Sequence, residues 1–410
     1  MKFLFLLLSS LFIFSEIQAQ RTCSSAEYAA GLSSLQTGNN NPYGSTARDT
    51  VANENITIPV IIHILYHNAS QNISDAQVIS QLKVLNEDFR RLNNDASNTP
   101  NAFRPFAADT RINFCLAHVD TRDRPVSGII RKYTTKESFS VDDAVKFSAA
   151  GGDDAWDSRK YLNIWVCNME GNNLGYASPP GGQTDKDGIV IQYDAFGITG
   201  NLRTNFNKGR TTTHEAGHWL GLRHIWGDDN CGDDGIFDTP QQAYYNNDCP
   251  SFPHLSSCSP NANGDMFMNF MDYTNDACMN MFTEGQKSKM RGLFSVSGPR
   301  NSFLFSFACD SSLATAAPLP TTDTTAVAVL KPSVQIFPNP VHQELNLVAL
   351  NGYELAGKSI SVFNTTGMLL MKKTITNAND KLNLSSFNSG VYIIVIGQGS
   401  DRTVLKLIKI

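Results

Sequence analysis

The residues best suited to chemistry lie in one short segment, Thr213–His224, with the sequence THEAGHWLGLRH. On a helix, His214 and His218 are one turn apart on the same face, so both imidazoles can bind one metal ion. Gly221 favours a helix end, because glycine adopts the left-handed conformation at little cost, and the chain can then bring His224 to the same ion. Three histidines leave one tetrahedral position open to water, which is typical of a catalytic zinc site.

Glu215 lies beside the first histidine and has the chemistry of a general base. Its carboxylate can take a proton from a water that the metal activates, without itself being a ligand. The pattern HExxHxxGxxH fixes five residue types, and a chain of this length would contain it by accident about once in ten thousand cases. The alternatives are solvated or core histidines, with Glu215 completing a capping box with Thr212.

The histidine segment resembles the zinc site of the metzincin peptidases. Asn269–Cys278, NFMDYTNDAC, resembles the Met-turn of that clan. With the strand ITIPVIIHILY and the glycine-containing stretch LGYASPPG, the region from about Ile56 to Phe307 is similar to the pappalysin family, in its small ulilysin-like branch. The resemblance implies a zinc-dependent endopeptidase that acts on proteins and peptides. It assigns Glu215 as general base and the following residues as zinc ligands: His214, His218 and His224.

The resemblance also implies roles for two residues of the Met-turn. Met271 matches the methionine that lies beneath the metal, and Tyr273 matches a tyrosine that can steady the oxyanion. From the local sequence alone, Met271 is a core methionine and Tyr273 a buried tyrosine. A substrate in extended form would add to an edge strand of the sheet, for which Gly188–Tyr193 is the candidate.

One position departs from the family pattern. In ulilysin-like enzymes that cut before arginine or lysine, an aspartate immediately before the Met-turn cysteine lines the primed-side pocket. That position is Ala277 here, and the nearest acid is Asp276, one residue earlier. Since a shift of one residue commonly re-aims a side chain, we expect Asp276 to point away and the selection of basic residues to be weaker. The alternative is that a different loop supplies the charge.

The eight cysteines allow 105 disulfide connectivities, and the sequence alone does not choose among them. The resemblance implies the pairs Cys231–Cys258 and Cys249–Cys278, which would brace an irregular segment framing the cleft. Cys115 and Cys167 fall on candidate strands and are either paired or simply buried. Cys23, in RTCSSAE, resembles a propeptide thiolate that blocks zinc, although the usual glycine is missing. The alternative is a disulfide between Cys23 and Cys309.

Acidic residues crowd the loop that follows the third histidine. Oxygen-rich loops of this kind can bind calcium, although no EF-hand spacing is present. Because the family resemblance includes calcium binding nearby, we expect a calcium site that involves Asp233, Asp238 or Thr239. A solvated acidic loop is the alternative.

The elements that must position these residues follow from hydrophobic periodicity. Ile56–Tyr66 is almost wholly apolar, as expected of a central strand. Ser74 and Gln77 form a capping-box pattern before a helix that carries apolar residues at helical spacing. Further strands are predicted at 112–118, 161–167 and 188–193, and a helix at 211–222. The predicted fold class is α+β: a metzincin-like catalytic domain with a twisted mixed sheet, backing and active-site helices, and a small C-terminal β-sandwich.

The order of the chain predicts five segments. An apolar run after Lys2 and a polar stretch to Ala19 predict a signal peptide at 1–19. A polar propeptide at 20–54 and a peptidase domain at 55–310 follow. Residues 311–332 are an Ala/Thr/Pro-rich linker. Residues 333–410 carry short strand patterns, and their motifs IFPNP and VFNTTGMLL resemble the type IX secretion sorting domain, which implies that secretion machinery as a partner. A carbohydrate- or protein-binding β-sandwich is the alternative.

Composition and charge exclude other classes of protein. The 410 residues carry a formal net charge of −5, which argues against a nucleic-acid-binding face. No internal apolar run is long enough to span a membrane. We therefore expect a secreted zinc endopeptidase zymogen that acts outside the cell or at its outer surface. The alternative is a surface adhesin whose peptidase fold has lost activity, and the sequence leaves the oligomeric state open.

Overall fold

The structure is a computed structural model that describes residues 21–33, 54–306 without 123, 260 and 261, residues 308–309, and most of 333–410. In the last range, residues 338, 340, 351–353, 365–367, 378–379 and 398–402 are not among those described. The predicted signal peptide, the linker and residues 34–53 of the predicted propeptide lie outside the described residues. The chain divides into two compact units, Met1–Ala317 and Pro318–Ile410.

A six-stranded mixed sheet forms the framework of the first unit. Its strands are β1 (Ile56–Tyr66), β2 (Ile112–Leu116), β3 (Ile129–Tyr133), β4 (Leu162–Cys167), β5 (Gly175–Ala177) and β6 (Gly188–Gln192). Strand β1 pairs in parallel with β2, β3 and β4. Its long apolar run therefore forms the centre of the sheet, where both faces of a strand are covered.

The strand predicted to form the substrate-binding edge, Gly188–Tyr193, does not lie at an edge of the sheet. Strand β6 pairs with β4 on one side and with β5 on the other, so Gly188–Tyr193 is an interior segment and not an edge. The edge is β5, which runs antiparallel to β6. All five residues of β6 are buried, as expected of a strand flanked on both sides. The three residues of β5 are too few to give a recognisable strand pattern in the sequence.

Three helices of the first unit lie in or beside the same core. Helix α2 (Asp75–Phe89) begins after Ser74, whose hydroxyl accepts the Gln77 N–H. The Gln77 side chain does not complete a capping box, because its amide donates instead to Phe196 O at 2.8 Å. Helix α3 (Arg210–Trp219) carries the first two motif histidines, and helix α4 (Glu284–Gly292) has a full capping box. Residues of all three helices share one apolar cluster with the sheet.

A further helix, α1 (Ser25–Ser33), precedes the sheet in the chain. The sequence pattern predicts no helix or strand there. The apolar residues of α1 are poorly segregated onto one face, and Ser25 and Tyr28 are buried where they contact later parts of the first unit. The helix is therefore positioned by tertiary contacts and not by its own pattern.

Three disulfides join cysteines of the first unit: Cys115–Cys309, Cys231–Cys258 and Cys249–Cys278. The last two have the pairing that the family resemblance implies. Because Cys309 pairs with Cys115, the alternative disulfide between Cys23 and Cys309 is wrong. Cys23 and Cys167 are free and buried.

The second unit is a small β-sandwich of antiparallel strands. Its four-stranded sheet has the order β10-β9-β12-β13 and its three-stranded sheet the order β11-β8-β7. The strands are β7 (Ser333–Phe337), β8 (Glu344–Leu350), β9 (Ser359–Asn364), β10 (Leu369–Thr374), β11 (Lys381–Asn383), β12 (Gly390–Ile396) and β13 (Thr403–Lys409). Both sheets contribute to one apolar cluster, which includes Leu345, Val362 and Ile394. In the described part of the chain, no helix is long and apolar enough to cross a membrane.

Candidate metal centre and active site

Three histidine side chains converge at the C-terminal half of α3. The Nε2 atom of His218 lies 3.1 Å from Nε2 of both His214 and His224. His214 and His218 are one turn apart on α3. Gly221, with a φ of 80°, then turns the chain back towards them. The helix stop and return predicted from the spacing are therefore present, and they bring the third imidazole to the other two.

The Nδ1 atoms of these histidines all face acceptors. Nδ1 of His214 donates to Phe270 O at 2.7 Å, and Nδ1 of His218 donates to Leu222 O at 2.9 Å. Nδ1 of His224 contacts the Asp228 carboxylate. A carbonyl oxygen only accepts hydrogen bonds, so in neutral His214 and His218 the proton sits on Nδ1 and Nε2 presents a lone pair.

Burial keeps the His214 and His218 imidazoles neutral. Burial first, and the neighbouring imidazoles second, lower the pKa of His214 well below its ordinary value and that of His218 to about 3. Lone pairs of neutral rings that face one another at 3.1 Å repel unless a cation lies between them. Nitrogens about 2.0–2.1 Å from a tetrahedral zinc would lie roughly 3.3 Å apart, so the donor set and its spacing fit zinc.

Cys23 offers a fourth potential metal ligand at the position where the three histidines converge. Its Sγ and the three histidine nitrogens all lie within 4.8 Å of one another, and among the described residues no other group of histidine, cysteine and acidic side chains has metal-ligand proximity. Burial, followed by the nearby Glu215 charge, raises the pKa of the Cys23 thiol well above its ordinary value. A thiolate at this place therefore needs a cation beside it.

The segment around Cys23 lies along the edge of the sheet. Cys23 pairs in parallel with Gly175 of β5, with Ser24 N donating to Gly175 O at 3.1 Å. Leu174 N donates to Thr22 O at 2.9 Å. The polar groups of β5 that a substrate strand would use are thus paired with the chain's own N-terminal segment.

Glu215 is buried beside this segment and accepts a hydrogen bond from Ser25 Oγ at 2.8 Å. Burial raises the pKa of Glu215 to about 7, against the lowering effects of Cys23, Ser25 and the Arg21 charge. A Cβ on Gly175 would come within 2.9 Å of Glu215 Oε1, so glycine is required for β5 to approach this carboxylate. A carboxylate with a pKa near neutral pH suits proton transfer in both directions.

Tyr273 of the Met-turn is 8% exposed, and its hydroxyl contacts the Cys23 backbone. The hydroxyl donates to Cys23 O at 2.9 Å and accepts from Cys23 N at 3.2 Å. Its ring lies 4.9 Å from that of His224. The structure therefore places Tyr273 at the cluster, where in this state it holds the N-terminal segment.

Met271 is fully buried and packs against α3 at Gly217, the residue before His218. Helix α3 approaches the Met-turn at Gly217, where a Cβ would meet Met271 Sδ at 2.4 Å. The turn itself is held by buried Asp272, which accepts from Gln242 Nε2 at 2.9 Å and Asn246 N at 2.8 Å. These contacts join the Met-turn to the disulfide-braced loop.

Asp276 points towards the N-terminal segment and the start of α3. Its carboxylate is fully buried and forms an ion pair with the Arg21 guanidinium. Asp276 Oδ2 also accepts from Lys208 N at 2.8 Å and Arg210 N at 3.2 Å. The backbone donors at the start of α3 fix the orientation of Asp276, a tertiary contact that the sequence of the Met-turn does not show. The weaker selection of basic residues stays a prediction at this point.

The residues that anchor α3 were not predicted from the sequence. Arg210 Nε lies 2.9 Å from Asp88 Oδ2 of helix α2, and Arg210 Nη1 lies 3.1 Å from Asp95. Thr213 Oγ1 donates to the same Asp88 carboxylate at 2.7 Å. The signal in the sequence was Asp88, an acid on the apolar side of α2. A charge buried at such a position needs a partner.

The predicted calcium residues lie in the loop after His224. Asp238 accepts from Thr283 Oγ1 at 2.7 Å and Gly285 N at 2.8 Å, so it caps the start of α4. Asp233 accepts from Gly235 N, and Thr239 donates to Asp234. Calcium at this loop stays a prediction.

Comparisons with known proteins agree with this geometry. Residues 148–295 match the peptidase family M43 profile, described as pregnancy-associated plasma protein-A, and residues 335–410 match the secretion system C-terminal sorting domain. Mature mirolysin of Tannerella forsythia, solved with a cleaved peptide, is 51% identical, with a TM-score of 0.61 over 62% of this chain and 97% of that one.

Two further proteins extend the similarity. Promirolysin of the same organism is 51% identical, with a TM-score of 0.62 over 63% of this chain and 87% of that one. An extracellular metalloprotease of Podospora anserina is 31% identical over 256 residues, which cover 61% of this chain and 76% of that protein.

Proposed function

The chain belongs to the M43 family of extracellular metalloproteases, and on that premise we propose that it hydrolyses peptide bonds with a zinc ion held by His214, His218 and His224 and with Glu215 as general base. As a member of this family it is a secreted metalloendopeptidase with peptide substrates. The observation that carries the zinc proposal is the convergence of the Nε2 atoms, with His218 Nε2 3.1 Å from each of the others. The inactive-adhesin alternative has no support, since the ligand set and Glu215 are complete.

When bound, zinc would polarise the scissile carbonyl and lower the pKa of a water molecule. Glu215 accepts the proton of the attacking water and passes it to the leaving amine, for which a pKa of about 7 is well suited. Tyr273 is placed to donate a hydrogen bond to the oxyanion once its hydroxyl is released from Cys23.

The substrate strand is proposed to add to β5, the edge of the sheet. Its basic side chain would then enter the pocket in which Asp276 now binds Arg21. A buried carboxylate selects a cationic side chain strongly, because an apolar one would leave it unpaired. Cleavage is therefore proposed to occur before arginine or lysine, contrary to the weaker selection expected from Ala277.

The N-terminal segment is proposed to keep the enzyme latent. Cys23 would complete the zinc coordination. Ser25 donates a hydrogen bond to the Glu215 carboxylate, and the Arg21 side chain fills the pocket that contains Asp276. Removal of this segment would free the open metal position, the base and the pocket together. The proposed bounds are a signal peptide at 1–19, a propeptide at 20–54, a peptidase domain at 55–310 and a linker at 311–332.

The C-terminal unit directs the protein to the type IX secretion machinery, as its sorting-domain match implies. The protein is therefore located outside the cell or at its outer surface. The bounds 333–410 for this domain are part of the same proposal.

The zinc proposal is tested on the mature protein, cut after residue 54. Elemental analysis should give one zinc per chain, and a chelator should abolish cleavage of casein. Re-addition of zinc at about one equivalent should restore it. A fully active protein without bound metal would contradict the proposal.

A further inference from the structure

Tyr28 of helix α1 inserts its side chain into a second pocket, further along the N-terminal segment than Cys23. The segment passes from Arg21, on Asp276, through Cys23 at the histidines, to Tyr28. The phenol hydroxyl donates to Asp143 Oδ2 at 2.9 Å and accepts from Lys146 Nζ at 3.3 Å. Both hydrogen-bonding functions of the phenol are therefore satisfied.

The pocket walls are formed by residues of the proposed peptidase domain, 55–310, and not by the N-terminal segment. Lys146 is fully buried, and its ammonium lies 5.7 Å from the Trp165 ring centroid and 4.9 Å from that of Tyr176. It is held by Asp143 at 2.9 Å and by Lys186 O at 2.8 Å. These contacts do not depend on Tyr28, so the pocket keeps its shape and its charges when the segment is removed.

The edge strand connects this pocket to the cleft. Tyr176 lies on β5, the strand with which Cys23 pairs through Gly175, and its ring is 5.0 Å from the Tyr28 ring. A peptide that adds to β5 therefore passes the mouth of the pocket.

We propose that the Asp143–Lys146 pocket is a substrate subsite that takes a tyrosine side chain on the N-terminal side of the cleaved bond. The inference rests on the proposed function, which puts Asp276 on the C-terminal side. A tyrosine hydroxyl reproduces both contacts of Tyr28. A phenylalanine fits the same aromatic walls but makes neither of these two hydrogen bonds, and a site built to bind a substrate hydroxyl discriminates against an analogue that lacks it.

The path of the segment gives the position of this tyrosine. From Cys23 to Ser25 the chain advances two extended steps of about 3.3 Å, and from Ser25 to Tyr28 three helical steps of about 1.5 Å. The total of roughly 11 Å equals about three residues of an extended substrate. The tyrosine is therefore expected at the third residue before the cleaved bond.

The test uses the mature enzyme and peptides with one arginine after the scissile bond. Tyrosine, phenylalanine or leucine is placed at each of the second, third and fourth residues before it. In the wild type, kcat/KM for tyrosine should exceed that for phenylalanine about tenfold at one position, the third, as expected for one to two hydrogen bonds. Asp143→Asn and Lys146→Met should bring this ratio close to one.

The control is Lys287→Met, which removes a lysine from a solvent-exposed ion pair with Glu284 on α4 and should leave the ratio unchanged. Asp143→Asn keeps the size of the side chain, so it decides the question if Lys146→Met does not fold. Equal rates for tyrosine and phenylalanine at all three positions in the wild type would overturn the subsite while leaving the peptidase activity established. Failure to cut any of the peptides would contradict the proposed function itself.

Discussion

Arg21 and Asp276 form a fully buried ion pair across 255 positions of the chain, beside the start of the helix that carries His214 and His218. The guanidinium also donates to Thr211 Oγ1 at 3.2 Å, and its face lies 5.1 Å from the Phe206 ring centroid. The N-terminal segment therefore occupies a pocket whose shape and charge suit a basic substrate side chain.

Asp276→Asn should weaken the preference of the mature enzyme for arginine after the cleaved bond. Loss of one member of a buried charge pair costs at least about 2 kcal/mol, or roughly a thirtyfold fall in the arginine-to-leucine ratio of kcat/KM. Asp109→Asn, which changes a more exposed pair with Arg90, is the matched control. An unchanged ratio in Asp276→Asn would show that another group selects the basic residue.

Cys23→Ala should make the unprocessed chain active. Without the thiolate one metal position is open to water, although Arg21 and Ser25 still hold the segment. We expect cleavage of a small peptide by the unprocessed variant at a rate well above that of the unprocessed wild type. Cys167→Ala changes the other free buried cysteine and should leave latency intact. Equal latency in Cys23→Ala and wild type would contradict the proposed role of the thiol.

Several of these features could be predicted from local sequence patterns. The apolar run of Ile56–Tyr66 indicated the central strand with the bounds that the structure has. Helix periodicity and Gly221 indicated how the three histidines could meet, and the structure brings them together.

Other features depend on contacts between distant residues. The edge strand β5 has three residues, and its place outside β6 follows from an antiparallel return that no periodicity encodes. The pairing of Cys115 with Cys309 spans 194 positions. The direction of the Asp276 side chain is set by backbone donors of Lys208 and Arg210, which the Met-turn sequence does not show.

Gly217→Ala should destabilise the first compact unit, because the added Cβ would lie 2.4 Å from Met271 Sδ. Overpacking of this kind costs about 1–3 kcal/mol in the free energy of unfolding. Gly292→Ala on α4, where nothing lies within 4 Å of the added Cβ, is the control and should change stability little. Calorimetry measures the melting temperatures of the two variants. Equal values would argue against close packing of the Met-turn on α3.

A chain ended after Asp310 should fold and, once its N-terminal segment is removed, cleave peptides at the wild-type rate. The described residues of the metal centre all lie in the first compact unit, and the sorting domain lies in the second. The same chain should not be exported by a type IX host. Loss of peptidase activity in the shortened protein, measured after purification, would show that the tail is needed for the catalytic fold.

The most direct measurement of the central claim combines metal content and peptide cleavage in two variants of the mature enzyme. Glu215→Ala should keep about one zinc per chain and lose at least about a hundredfold in kcat, as expected for loss of a general base. His218→Ala should lose both zinc and activity, because it removes a ligand. Wild-type cleavage by Glu215→Ala, or full zinc retention by His218→Ala, would contradict the account.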